Sequence, residues 1–384
     1  MINRVFLLVV DGLGAGAAVD AVEYGDAGAH TLAHLAESAG GLNLPTFESL
    51  GLGHVTEIPG VRSMAQPVGC FGRLGFTAKG VDSLSGYWEM AGCISDAAAT
   101  MTMDVSVEAA SVLEQTVGRK VLGGQLSSGA AAIAAWGKDH LASGSPIMWT
   151  DGRQTCHLAA HQRVWRPDEL YQWCREIRKA LKQSVGITRI VAHPLAGDSG
   201  ALEFSPARRD FAGEPPDVTM LDVLNRAGQI LIGIGKVSDL FAGRGLTRSV
   251  AAPSWADAID EAGVLFNRVP RGLIFIGLDF MGPDANQSAA TLQDLDRRLP
   301  ELLEQLRPGD LLMVTGDHGR DPNKPHGVPT REYVPLLVTG PKLAQGVNFG
   351  IRASAADLGQ TVVEALQGES LAIGESFLDA LRPG

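Results

Sequence analysis

Cysteine is scarce in this sequence. The four present, Cys70, Cys93, Cys156 and Cys174, are widely spaced and form no Cys-x-x-Cys pair. That pattern argues against a zinc knuckle or a disulfide framework and points to a reducing, cytoplasmic compartment. Basic residues are also in deficit, 32 Lys and Arg against 43 Asp and Glu, for a formal net charge of -11. A chain of that sign is a poor partner for nucleic acid or an anionic membrane, and a small-molecule substrate fits better. Long hydrophobic runs are absent as well. The stretch Val5 to Val10 has six apolar residues before Asp11, too few for a signal core or a spanning helix.

What is present is length and apolar content. At 384 residues and 45% hydrophobic, the chain exceeds one ordinary core, and two domains, one inserted into the other, are expected. Val5 to Val10 reads as a buried strand ending at Asp11-Gly12-Leu13-Gly14. The same grammar returns at Ile230 to Ile234 before Gly235-Lys236, at Leu273 to Leu278 before Asp279, and at Leu311 to Thr315 before Gly316-Asp317-His318. In open α/β sheets ligands bind just beyond the carboxyl ends of strands, so each run delivers candidate site residues. Helix-like stretches such as Ala289 to Leu306 lie between them. The alternation predicts an α/β core over residues 1–93 and 217–384, a mostly parallel sheet between helices. Residues 94–216, with the alanine-rich Ala130 to Ala135 and the amphipathic Pro167 to Lys182, read as an inserted α/β cap.

Asp317-His318 at a strand end offers a carboxylate and an imidazole to one divalent ion, although a bare Asp-His pair serves equally as a cap or loop feature. Ser83 opens a probable helix, where free N–H groups favour phosphate and an N-cap serine is the plain alternative. A serine hydroxyl becomes a competent nucleophile only beside a base or metal.

Together these motifs resemble a known family. Val9-Val10-Asp11-Gly12-Leu13-Gly14-Ala15-Gly16, Ser85-Gly86-Tyr87-Trp88-Glu89, Gly233-Ile234-Gly235-Lys236-Val237-Ser238-Asp239 and Thr330-Arg331-Glu332-Tyr333-Val334-Pro335 look like phosphopentomutase, within the alkaline phosphatase superfamily. The matches keep their order nearly from end to end. The resemblance implies an alkaline-phosphatase-like core and two divalent ions, usually Mn2+ with Mg2+ or Zn2+ as alternatives. It also implies a phosphorylated hydroxyl that moves a phosphoryl group between C1 and C5 of a pentose phosphate. Asp11, Asp317 and His318 match ligands of the first metal, and Ser83 takes the place of the family's threonine nucleophile.

The second metal is where the sequence departs. Asp279 matches, but Asp284 stands in place of a histidine, and the family's last histidine falls on Pro329, with His326 nearby as substitute. On the substrate side, Thr150-Asp151-Gly152-Arg153-Gln154 replaces the family's Thr-Ser-Ala-Asp-Ser, and His193 replaces an arginine. Tyr87 stands where the family has histidine. Asp151, Arg153, His193, Arg208, Arg209 and Lys236 are the candidate substrate contacts. The first expectation is a mutase acting on a sugar phosphate, as monomer or small homo-oligomer. A phosphatase on the same scaffold and a catalytically weakened binding protein are the alternatives.

Overall fold

In β1 (Arg4–Val10) every residue is buried, because its even-numbered side chains feed one apolar layer and its odd-numbered ones another. That two-faced burial is what an unbroken Val/Leu/Phe run encodes. The computed structural model describes all residues except Met1, 96–103, Ser106, Arg153, 182–186, 199–200, Pro283 and Gly384, with the side chains of Glu108 and His326 also outside the description. After β1 come α1 (Thr31–Ala39), α2 (Pro45–Leu50), α3 (Leu52–Val55), β2 (Cys70–Leu74) and α4 (Ser83–Met90). The middle holds α5 (Val107–Val117), β3 (Leu122–Leu126), α6 (Gly129–Ser143), β4 (Ile147–Thr150), β5 (Thr155–His161), α7 (Pro167–Ala180), β6 (Arg189–Asp198), β7 (Ala201–Phe204) and β8 (Arg209–Ala212). Then follow α8 (Met220–Arg226), β9 (Leu231–Ile234), α9 (Val237–Leu240), β10 (Arg248–Val250), α10 (Trp255–Arg268) and β11 (Gly272–Leu278). The chain closes with α11 (Ala285–Leu303), β12 (Asp310–Gly316), β13 (Val334–Thr339), β14 (Asn348–Arg352) and α12 (Ala356–Ala365).

An eight-stranded sheet runs β10-β9-β11-β1-β12-β13-β2-β14. Its β10-β9-β11-β1-β12 portion is parallel, and β13 is antiparallel to both neighbours. Helices α1, α10 and α11 cover one face, and α4, α8 and α12 the other. Leu292, Leu295, Leu299 and Leu302 form the inner stripe of α11. Burying each is worth about 1.5–3 kcal/mol. A second sheet, β3-β4-β5-β6-β7 with β8 beside β6, draws all its strands from the middle of the chain. Helices α5 and α7 pack on one side of it and α6 on the other. Among the described residues no helix is long and apolar enough to cross a membrane.

One ion pair lies inside the core. Arg4, at the start of β1, donates through Nε to Asp310 Oδ1 at 2.8 Å and through Nη1 to the Val269 carbonyl at 3.0 Å, with both charged side chains almost fully buried. Asp310 also accepts from the Arg307 N–H at 2.7 Å. Removing one partner of such a pair strands a buried charge. Asp310→Ala is therefore expected to lower the unfolding free energy by about 3–5 kcal/mol, read from the urea midpoint at constant slope. A loss below about 1 kcal/mol would show that the guanidinium finds water or another acceptor.

Candidate active site

Strand register builds the site. Val10 of β1 pairs with Leu278 of β11 on one side and with Gly316 of β12 on the other. The next residue of each strand is therefore an aspartate at the same level: Asp11, Asp279 and Asp317. In β9, Ile234 pairs with Ile276, which carries Lys236 up to that level too.

Asp11, Asp317 and His318 each bring a ligand atom to within 4.8 Å of the others. Asp317 Oδ1 accepts from the Gly12 N–H at 2.9 Å, while its Oδ2 is buried without a hydrogen-bond partner among the described residues. His318 Nδ1 donates to the Gly319 carbonyl at 2.8 Å, which fixes the tautomer and turns the Nε2 lone pair toward Asp317 Oδ2 and Asp11 Oδ1, 3.7 and 3.9 Å away. Burial pushes the His318 pKa down, with Asp317 pulling the other way. Asp317 would be raised by its own burial, but His318, Lys236 and the Gly12 N–H outweigh this and hold it below the usual carboxylate range. An orphaned buried carboxylate oxygen beside an unprotonated ring nitrogen is what a divalent cation requires, so these residues fit a metal.

Ser83 is the first residue of α4, but it is not the cap. Asp82 takes that role, accepting from the Ser85 N–H at 2.9 Å. The Ser83 hydroxyl is thus free to donate to Asp11 Oδ2 at 2.9 Å, with His318 Nε2 at 3.4 Å. Helix α4 reaches this depth because residue 86 is glycine: a Cβ there would stand 2.1 Å from the Asp317 carbonyl oxygen.

Lys236 joins the group from the far side. Its Nζ donates to Asp11 Oδ2, lies 3.2 Å from Ser83 Oγ and 3.2 Å from Asp279 Oδ1, and is 3.7 Å from Asp317 Oδ2. Arg208, just before β8, reaches across from the second sheet to Asp279 Oδ2 at 2.7 Å and pairs with Asp210 at 3.1 Å. Burial works to raise the Asp279 pKa, yet the Lys236 and Arg208 charges drive it far below the ordinary range. Arg209 turns away toward Asp239 at 3.6 Å and packs over the Tyr171 ring.

Asp284 is exposed and caps α11, accepting from the Gln287 N–H at 2.8 Å. The His326 side chain and the whole of Arg153 lie outside the described residues. Asp151 stands 3.8 Å from His157 Nε2, and His193 bonds to His157 at 3.0 Å.

Three participants escaped the sequence reading. Arg320 follows Asp317-His318 in the same strand-end loop and feels the charges of Asp151, Asp279, Arg208 and Arg189. Its nearness to Asp-His in the chain was the available signal. Arg189 pairs with buried Asp210 at 3.3 Å, and His157 sits on the neighbouring strand; both positions depend on strand pairing, which local sequence does not display.

Tyr87 packs its ring on Phe275 at 5.3 Å and under the Lys236 ammonium at 5.5 Å, fully buried, while its hydroxyl has no hydrogen-bond partner among the described residues. A buried unpaired hydroxyl costs about 1–3 kcal/mol. Tyr87→Phe is therefore expected to raise the urea midpoint while preserving the stack, and a clear fall would reveal a hidden partner for the hydroxyl.

The Metalloenzyme superfamily model matches residues 282–370, which carry Asp317 and His318. The chain is 36% identical to the phosphopentomutase of Alkaliphilus oremlandii (strain OhILAs), over 99% of its own length and 100% of the relative's. It is 36% identical to that of Dictyoglomus thermophilum, over 100% of this chain and 99% of the other. Against that of Caldanaerobacter subterraneus subsp. tengcongensis it is 37% identical, over 99% of this chain and 98% of the other. Matched from end to end at that level, the chain belongs to the phosphopentomutase family.

Proposed function

We propose that this protein is a metal-dependent phosphopentomutase that moves a phosphoryl group between C1 and C5 of a pentose phosphate through phosphorylated Ser83. The observation that carries this is the Ser83 hydroxyl, held between the Asp11 carboxylate, the His318 ring nitrogen and the Lys236 ammonium.

Asp11, Asp317 and His318 would hold the first ion, Mn2+ being the expected species. Bound there, a divalent ion supplies neutralising charge for phosphoryl oxygens and favours the deprotonated form of a neighbouring hydroxyl. The donor set for a second ion is poorer, since Lys236 and Arg208 already occupy Asp279 and Asp284 caps a helix.

The chain's own groups account for the rest. Phosphorylated Ser83 passes its phosphoryl group to the free hydroxyl of the bound sugar phosphate: the P–Oγ bond breaks as the new P–O bond forms, and the proton given up by the sugar hydroxyl ends on the departing Ser83 Oγ, giving a bisphosphate and a free serine. The sugar then turns, and Ser83 takes back the other phosphoryl group. Lys236 donates to Ser83 Oγ and so stabilises the negative charge that appears there each time the P–Oγ bond breaks. The start of α4 presents its N–H groups and positive dipole end to the phosphoserine. Arg208, bound to Asp279, and Arg320, which shares the field of Asp279 and Asp151, are the guanidinium groups that would grip a distal phosphate bidentately and keep the bisphosphate bound while it reorients.

The test is a phosphorus NMR time course with ribose 1-phosphate, Mn2+ and the purified protein, joined to mass spectrometry of the Ser83 peptide. Conversion to the 5-phosphate and a phosphorylated Ser83 are expected. Release of inorganic phosphate without isomer would identify a hydrolase instead.

A further inference from the structure

The face of the second sheet on which α6 packs carries two imidazoles that the phosphoryl-transfer chemistry leaves unused. Trp149 of β4 pairs directly with His157 of β5, and Ala159 of β5 with His193 of β6. With side chains alternating along strands, Trp149, His157 and His193 share one face. The indole stacks on His157 at 5.0 Å and 4° and lies tilted against His193 at 5.0 Å, while Phe204 packs against His193 at 5.1 Å and against the indole at 6.3 Å. Further along β6 on the same face comes Arg189, bound to Asp210, which binds Arg208, which binds Asp279 of the core site. This row of side chains leads into the phosphoryl-transfer centre.

The hydrogen bonds along the row have a direction. The Asp151 carboxylate, 3.8 Å from His157 Nε2, favours the proton on that nitrogen. His157 Nδ1 is then the bare acceptor, so the 3.0 Å bond to His193 must be donated by His193 Nε2–H. The outer nitrogen of His193, Nδ1, is left with a lone pair. Burial holds both rings toward the neutral form, Arg189 and Arg208 repel a further positive charge, and Asp151 at His157 and Asp279 at His193 pull the other way.

A neutral acceptor at this place repels a phosphate oxygen, which is itself an acceptor, and welcomes a hydroxyl. We infer that Asp151, His157 and His193 form a proton-ordered relay whose outer end, His193 Nδ1, accepts a hydrogen bond from a ring hydroxyl of the pentose. Where the family pattern has a guanidinium suited to phosphate, this chain reads the sugar, and phosphate recognition falls to Arg208 and Arg320. The inference rests on the pentose phosphate reading above, and its test is divided so that the two fail separately.

The first arm needs no turnover. Nitrogen NMR of the imidazoles at neutral pH should show both His157 and His193 as neutral Nε2–H tautomers. A protonated Nδ1 on either ring, or an imidazolium, overturns the relay whatever the enzyme's substrate is. The second arm compares kcat/KM for ribose 5-phosphate with its 2-deoxy and 3-deoxy analogues, in the wild type and in His193→Phe, which keeps the stack on Trp149 and Phe204. One analogue should be slower than ribose 5-phosphate by about 10- to 100-fold in the wild type, because it leaves a part-buried acceptor unpaired. In His193→Phe the parent sugar should fall by about that factor and the analogue hardly at all, the non-additivity expected of groups in contact. A uniform fall for all three sugars, or an unchanged ranking, overturns the assignment. Loss of competitive inhibition by inorganic phosphate in His193→Phe also overturns it, since it would place phosphate at this position.

Discussion

Ser83→Ala should remove turnover by about a millionfold, or to the limit of detection, as loss of a hydroxyl nucleophile does elsewhere. The fold should survive, for reasons on both sides of the residue. Alanine is a strong helix former, the cap of α4 belongs to Asp82, and Asp11 Oδ2 keeps its contact with Lys236 once the serine is gone. The hydrogen bond to the Asp11 carboxylate is lost, worth about 1.5–3 kcal/mol, together with the longer contacts to Lys236 and His318, and the retained Lys236–Asp11 contact offsets part of it. The thermal midpoint should therefore move by a few degrees while activity disappears. Activity within about tenfold of wild type, with the fold intact, would remove Ser83 as the phosphoryl carrier. Ser83→Thr, the residue the family uses, should retain turnover and separates loss of the hydroxyl from damage to the helix start.

How much of this was legible in the sequence differs by kind of signal. Strands β1, β9, β11 and β12 announced themselves as apolar runs, and the polar residue one or two positions beyond each, Asp11, Lys236, Asp279 and Asp317, stands in the cluster at the strand ends. Register made that work: because β1, β11 and β12 end level, Asp11, Asp279 and Asp317 arrive together. Ser83 was ambiguous for a physical reason, since a cap and a nucleophile occupy the same turn, and the side chain of Asp82 decides between them only in three dimensions. Asp284 shows the converse. The family resemblance offers it as a ligand at the spacing after Asp279, and in three dimensions one of its oxygens also caps α11, a role the chain alone does not display. The cap-side constellation was least readable. His157 and His193 are 36 residues apart in the chain and meet only because β5 and β6 pair in parallel. No local pattern reports such a pairing.

Asp317→Asn should abolish high-affinity metal binding with little change in the empty protein. The amide keeps its Oδ1 and so the bond from the Gly12 N–H, but places an NH2 where the unpartnered Oδ2 now lies. An NH2 has no lone pair to give a cation, and it meets the Lys236 ammonium 3.7 Å away as donor to donor. Metal affinity should fall by more than the 10- to 100-fold typical of even an indirect ligand support. Stability offers a readout independent of catalysis. At metal 100 times its dissociation constant, the wild type should gain about 2.7 kcal/mol, and a hundredfold weaker variant only about 0.4 kcal/mol at the same concentration. A thermal shift with and without Mn2+ therefore distinguishes the two directly. Ion content per chain, measured on the same samples, should drop in parallel with turnover. If the variant still binds Mn2+ tightly, then Asp11, Asp317 and His318 are not the metal's ligands, and the unpartnered oxygen at the head of β12 has some other purpose.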